Sequence, residues 1–273
     1  MTRSILPLAG LLLLCAASTL RAQSPTESAH DLVKDVVYNE LQERRHVSLW
    51  QYRVDKRAGN QNTIEQEVET VAGPVSRVLA RQGKPLDQAA QKKETDRLNN
   101  LLRNPAEQAR MKQDHEAEEQ RLERLMGAMP DAFLYTYDGT ADGNLRLTFQ
   151  PNPAYNPPTY ETRVYHALSG EIWIQPQQKR LAKIDAHIVN EIEFGYGFFG
   201  RIEKGGRFQI VRQPVAENRW KTTTLNVHIS GRVVFFKSIN RDQDLTRSDF
   251  KPMPSNTSVK DAVDLLNASP AGP

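Results

Sequence analysis

Cysteine is all but absent: the single one in 273 residues, Cys15, sits inside an apolar run from Ile5 to Ala17. That run comes after Arg3 and ends in small residues, the layout of a secretory signal peptide, with cleavage expected after Ala22. It is too short to cross a bilayer as a helix, which takes about 20 apolar residues. No later stretch is apolar enough to do so, and the mature chain is expected outside the cytoplasm with no transmembrane segment. Lipid attachment at Cys15 would need a small residue before it, and Leu14 stands there. Loss of Cys15 with the leader leaves no disulfide and no thiol nucleophile, so core burial must hold the fold.

An excess of one charge is also lacking. The 36 basic and 33 acidic side chains become 34 and 33 once Arg3 and Arg21 leave with the leader. A near-neutral chain does not carry the broad basic footprint that nucleic acid selects. Motifs for metals and nucleophiles are missing too. The six histidines, at 30, 46, 115, 166, 187 and 228, have no ligand spacing. "HEAEE" at 115–119 places Glu119 where a zinc-binding helix needs its second histidine. There is no Gly-x-Ser-x-Gly elbow. Gly195-x-Gly197-x-x-Gly200 spells a dinucleotide fingerprint, but that motif works only where a helix opens behind it to face the pyrophosphate. The chain continues from Gly200 as "RIEKGGRFQIV", which breaks at Gly205-Gly206 and resumes with strand-like alternation. These glycines read instead as a place where a short apolar segment bends and packs closely. We therefore assign no catalytic, cofactor-binding or metal residue, and read the chain as non-enzymatic.

What is present is a change of hydrophobic period along the chain. Leu32, Val36, Val37 and Leu41 recur at helical spacing behind Ser24-Pro25-Thr26-Glu27, predicting a helix over 25–44. From "HVSLWQYRVDKRAG" the period is two, and this segment with "NTIEQEVETVAG" and "PVSRVLARQG" predicts an antiparallel meander with one wet face. Residues 86–129 have almost no β-branched side chains and predict a charged helical hairpin divided at Asn104-Pro105. Glu94/Arg97, Glu107/Arg110 and Glu118/Arg121 are spaced to pair along its surface. Strands return from Asp131: "AFLYTYDG" and "GNLRLTFQP", a hairpin turning near 176–179, and further strands to about 252. "YETRVYHALSG" reads as a short helix, and Ser258-x-x-Asp261 opens a last one before the tail. The organisation is thus a leader (1–22), one β-rich domain (23–252) with the insertion at 86–129, and a short helix with a flexible tail (253–273).

Aromatic residues are spread over nearly every strand: Trp50, Tyr52, Phe133, Tyr135, Tyr137, Phe149, Trp173, Phe208, Trp220 and Phe236. They suit an ordinary core or the lining of an apolar cavity in a curved sheet. The order of elements, with "SGEIWIQPQQKRLAKIDAHI", "FGYGFFGRIEKGGRFQI" and "NRWKTTTLNVHISGRVVFFKS", resembles the LolA/LolB-like periplasmic lipoprotein-localisation superfamily. The likeness covers residues 131–252, more loosely 30–82, and not the insertion. It implies an α+β fold: an incurved antiparallel sheet, an unclosed half-barrel, with covering helices. It further implies a periplasmic protein with a hydrophobic cavity that receives the acyl chain of a lipid or lipoprotein, and those ten aromatics are the candidate lining. The alternative is an envelope interaction or sensor module whose helical insertion docks a protein partner.

Overall fold

A computed structural model describes residues 27–194, 200–232 and 241–268. The chain opens with α1 (Ala29–Arg45), then β1 (Leu49–Ala58), β2 (Gln61–Val68), β3 (Val75–Arg81) and the two-residue β4 (Lys84–Pro85). The insertion is α2 (Gln88–Leu102) and α3 (Pro105–Ala132). Then come β5 (Phe133–Ala141), β6 (Asn144–Pro151), α4 (Tyr160–His166), β7 (Leu168–Gln175) and β8 (Arg180–Ile188). The remainder is β9 (Ile192–Phe194), β10 (Gly200–Ile202), β11 (Arg207–Ala216), β12 (Arg219–Ile229), β13 (Gly231–Arg232), β14 (Arg241–Met253) and α5 (Val259–Ala268).

Eleven strands make one sheet in the order β4-β3-β2-β1-β14-β12-β11-β8-β7-β6-β5. Its pairings are antiparallel throughout, and its two ends, β4 and β5, do not meet, so the barrel stays open. The expected α+β architecture of an unclosed, incurved sheet with helices is what the molecule has. Bulges in β1/β14, β2/β3, β5/β6, β7/β8 and β11/β12 bend the strands and supply the curvature. A small second sheet, β13-β10-β9, lies beside it.

Local signals account for most boundaries. Helix α1 starts at Ala29, capped by the Ser28 side chain on the Asp31 N–H, one turn later than the Ser24 cap expected. Asn104 caps α3 with Pro105 in its first turn, so the predicted division of the insertion stands. Helix α3 runs on through Pro130 to Ala132, a few residues beyond the expected end. Of the three predicted surface pairs, Glu94–Arg97 and Glu118–Arg121 form, whereas Glu107 accepts from Asn104 at the helix cap. Gly195 and Gly197 lie outside the described residues; Gly200 opens β10, and the next element is β11 rather than a helix.

The helices cover two different parts of the sheet. Leu32, Val33, Val36 and Val37 of α1, with Met129 and Ala132 of α3, pack onto Leu147, Phe149, Ile172, Ile174 and Ala186 of β6, β7 and β8. Leu98 and Leu101 of α2, with Ala262, Val263 and Leu266 of α5, pack onto Val68 and Val75 of β2 and β3. A fully buried Leu or Ile contributes about 1.5–3 kcal/mol, so these two stripes supply much of the binding of the helices to the sheet.

Candidate functional site

In an antiparallel ladder, directly opposed residues point to the same face. Reading the register from one strand to the next therefore traces a single face. Phe133 lies opposite Pro151, Tyr135 opposite Phe149, and Tyr137 opposite Leu147. Phe149 faces Gly170, and Leu147 faces Ile172. Ile172 faces Ile184 and Gly170 faces Ala186; Ile184 faces Ile210 and Ala186 faces Phe208. Ile210 then meets Leu225, Leu225 meets Leu245, and the next β14 residue on that face, Arg247, meets Val54. Trp50 and Tyr52 precede Val54 at period two. One apolar face thus crosses eight strands, from β5 to β1.

This face gathers seven of the ten candidate aromatics: Trp50, Tyr52, Phe133, Tyr135, Tyr137, Phe149 and Phe208. They fall into separate groups. Phe133, Tyr135 and Phe149 stack edge-on or tilted at 4.9–6.3 Å under α1 and α3, joined by Tyr165 of α4. The Tyr135 hydroxyl donates to the Met129 carbonyl and Tyr137 to that of Glu27. Burial pushes the Tyr135 and Tyr165 phenols well above their usual range. Trp50 and Tyr52 form a second group with Phe250, at centroid distances of 6.4 and 5.2 Å. Phe208 is partly exposed on β11. Trp220 is buried, donating to Gln178 Oε1, while its backbone N–H donates to Glu43 of α1. Trp173 points to the opposite face, opposed to Arg146 and Lys183, with the Lys183 ammonium 4.2 Å from its ring centre. Phe236 lies outside the described residues.

The second group differs from the first in its cover. Trp50, Tyr52, Val54, Leu245, Leu225, Val215 and Phe250 are all strand residues, so no helix among the described residues joins this cluster, although Trp50, Tyr52, Val54 and Leu245 are buried. Polar groups border it. The Tyr52 hydroxyl donates to Glu67 Oε1 at 2.5 Å. Burial raises the Glu67 carboxyl above its ordinary value, with the Tyr52 hydrogen bond and the Arg247 charge pulling the other way. The same desolvation, with Glu67 beside it, pushes the Tyr52 phenol far up. The Arg247 guanidinium stands 5.4 Å from the Tyr52 ring centre.

A buried charge cluster seats α1. Glu40 is 2% exposed and accepts from Arg180 Nε at 2.9 Å, Arg180 Nη2 at 3.0 Å and the Leu181 N–H at 3.1 Å. Arg212 Nη1 donates to Glu40 Oε2 as well, and Glu43 pairs with both arginines. Burial lowers both guanidinium groups to about 10, so they stay charged at neutral pH, and two carboxylates balance them. The sequence holds a signal for this: Glu40 falls on the apolar stripe of Val33, Val36 and Val37, where an acid needs buried cations. Phe250, Glu67 and Arg247 carry no comparable signal, because only strand pairing unites them.

Two clefts occur elsewhere among the described residues. One of about 490 Å³ lies between the start of β3 and the helical hairpin, with Val75, Leu101 and Met111 facing Arg97, Arg110 and Asp114. The other, about 380 Å³, lies between α1 and α3 and includes Leu41, Arg45 and Arg124. None of the ten aromatics lines either. No group of three or more acidic, histidine or cysteine side chains is placed to hold a metal ion among the described residues. Nor is any helix there long and apolar enough to cross a membrane. Comparison with family models, curated proteins and solved structures gives no match for this chain.

Proposed function

We propose that this is an exported, non-enzymatic binder of lipid or lipoprotein acyl chains in the cell envelope, working in the periplasm. The observation that carries the reading is the continuous apolar face from β5 to β1, whose cluster at β1 and β14 is built of strand residues alone among the described residues. Partly exposed Phe208, Ile210, Leu225 and Phe250 are the open apolar part of that face, from β11 to β14. A chain laid there would gain about 0.8 kcal/mol for each methylene removed from water. The leader-like N-terminus and the resemblance to the lipoprotein-localisation group support the same reading. Delipidated mature protein is expected to take up a fluorescent fatty-acyl probe, and protein purified from its own periplasm to carry an extractable acyl species in native mass spectrometry. Failure of both would reject the proposal.

A second reading is an envelope interaction or sensor module. It is favoured by α3, whose turns from Glu107 to Arg124 are largely exposed above the 490 Å³ cleft. Deleting residues 88–127 separates the two. Retained acyl binding with lost partner capture would assign the hairpin to docking; loss of acyl binding in a folded deletion variant would tie the hairpin to the lipid site.

A further inference from the structure

Three groups of charged side chains meet the inner parts of the sheet, and they differ in how well they are satisfied. Arg180 and Arg212 are saturated by Glu40 and Glu43. Arg77, buried against α2 and α5, donates to Asn267 Oδ1 and Thr95 Oγ1 at 2.7 and 3.0 Å. Arg247 is different. Its one hydrogen bond among the described residues, from Nη1 to the Thr222 carbonyl, is 3.4 Å long. Its Nε is buried and has no partner among the described residues. No carboxylate lies within ion-pair distance of it there either.

A guanidinium offers five donors in a planar fork matched to an oxyanion, and leaving a buried one idle is costly. Two neighbours that could have answered it are engaged elsewhere: Glu67 accepts from Tyr52, and Glu69 pairs with Lys221 at 2.9 Å. Around it stand the ring of Tyr52, Val54 opposite and Leu245 two residues back on the same strand, and Glu65, across β1 on the same face, accepts from Thr63. The arginine therefore stands at the edge of this strand-only cluster, where Trp50, Tyr52, Val54 and Leu245 are buried and Leu225, opposite Leu245, is partly exposed.

We infer that Arg247 is the head-group subsite of this face, receiving the carboxylate of an acyl ligand whose chain runs over the partly exposed Leu225, Ile210 and Phe208. The inference rests on the acyl-binding reading and adds to it the polarity of the ligand: an anionic head and a single chain end held at β14. Glu67 goes on accepting from the Tyr52 hydroxyl when the ligand's anion arrives.

The test is calorimetric or fluorescence-displacement binding of palmitate, methyl palmitate and sodium butyrate to the delipidated full mature chain. Arg247→Met and Arg247→Lys are compared with the wild type, with circular dichroism to confirm that each folds. Wild type should bind palmitate about tenfold tighter than its methyl ester, the scale of one charge-assisted hydrogen-bonded pair. Arg247→Met should abolish that preference while keeping methyl palmitate affinity, and Arg247→Lys should restore part of it. Butyrate should not displace palmitate, because the chain carries most of the affinity. A palmitate preference unchanged in Arg247→Met would overturn the head-group assignment and leave the acyl reading intact. Displacement by butyrate would make the site a general anion pocket and overturn the assignment as well. Binding of neither long-chain ligand by the wild type would remove both.

Discussion

Removing the Glu40 carboxylate should cost this protein more than any other single charge. In Glu40→Ala, Arg180 loses two hydrogen bonds and Arg212 loses one, and the Leu181 N–H is left without its acceptor. The cluster passes from two cations and two anions to two cations and one anion, at a place where Glu40 is 2% and Arg180 7% exposed. Breaking a buried pair from one side costs about 3–5 kcal/mol, because the partner's desolvation remains uncompensated. For a chain of this size each kcal/mol moves the melting midpoint by about 2–4 °C, so a fall of roughly 10 °C is expected. Thermal and urea unfolding monitored by circular dichroism measure it. The decisive comparison is the double variant Glu40→Leu/Arg212→Leu, which removes charge in balance and leaves Arg180 to Glu43. It should recover a large part of the loss, since balanced removal of buried ions is often neutral. A double variant as unstable as the sum of its singles would refute the argument, and so would a Glu40→Ala cost below about 1 kcal/mol.

Glu67→Gln should stabilise the fold at neutral pH. Burial raises its carboxyl above 4.5, so the contribution of the neutral form is fully present below that value and is lost as pH rises through the folded-state value. Gln is neutral throughout, and its advantage should appear above that window and vanish below pH of about 4.5; equal stability at every pH would contradict the assignment. Gly170→Ala should cost about 1–3 kcal/mol or more, as overpacking does, because its Cβ would stand 2.1 Å from the Asp185 carbonyl oxygen of the paired strand. An unchanged denaturation midpoint would show that β7 and β8 can part there at little cost. Ile172→Val under α1 and Leu98→Ala under α2 should destabilise additively within about 0.5 kcal/mol, since the two cores share no side chain. Coupling beyond that, read from denaturant unfolding, would mean that the two helical covers communicate through the sheet.

The strands and the insertion are legible in the sequence because their hydrophobic periods differ cleanly. "LWQYRV" alternates, so its burial alternates, with Trp50, Tyr52 and Val54 inside. Asn104-Pro105 marks its own boundary, since Asn caps and Pro begins a helix without needing its N–H. The start of the first helix is ambiguous because Ser24 and Ser28 are both competent caps, and only contact with the sheet chooses between them. The end of α3 is hidden because Pro130 reads as a stop, yet it lies two residues from the helix end. Site residues are legible as a class and not as an arrangement. Alternation puts Trp173 on one face of β7 but cannot say which face the molecule buries; its cross-strand partners Arg146 and Lys183 decide that. Phe250 comes after Asp249, whose φ of 58° interrupts the alternation of β14 at a bulge, so its place beside Trp50 cannot be counted from period two.

The sheet also changes the side it packs against helices, and this sets the two helical covers apart. Gln51 pairs with Val68, whereas Tyr52 pairs with Glu67 and Val54 with Glu65. The face that is apolar from β5 to β1 therefore becomes acidic on β2, and the apolar residues of β2 and β3, Val68 and Val75, lie on the reverse. Helices α2 and α5 pack against them there, while α1 and α3 stay on the first face over β6, β7 and β8, the end of α1 reaching Arg212 of β11 and Trp220 of β12. Strands β1 and β14 fall between the two covers, at the point of exchange. Each strand alone reads as an ordinary half-buried strand; the exchange exists only in the one-residue offset between the apolar sets of β1 and β2. A cluster of large apolar side chains bordered by Tyr52, Glu67 and Arg247 is the consequence, packed by strands alone among the described residues.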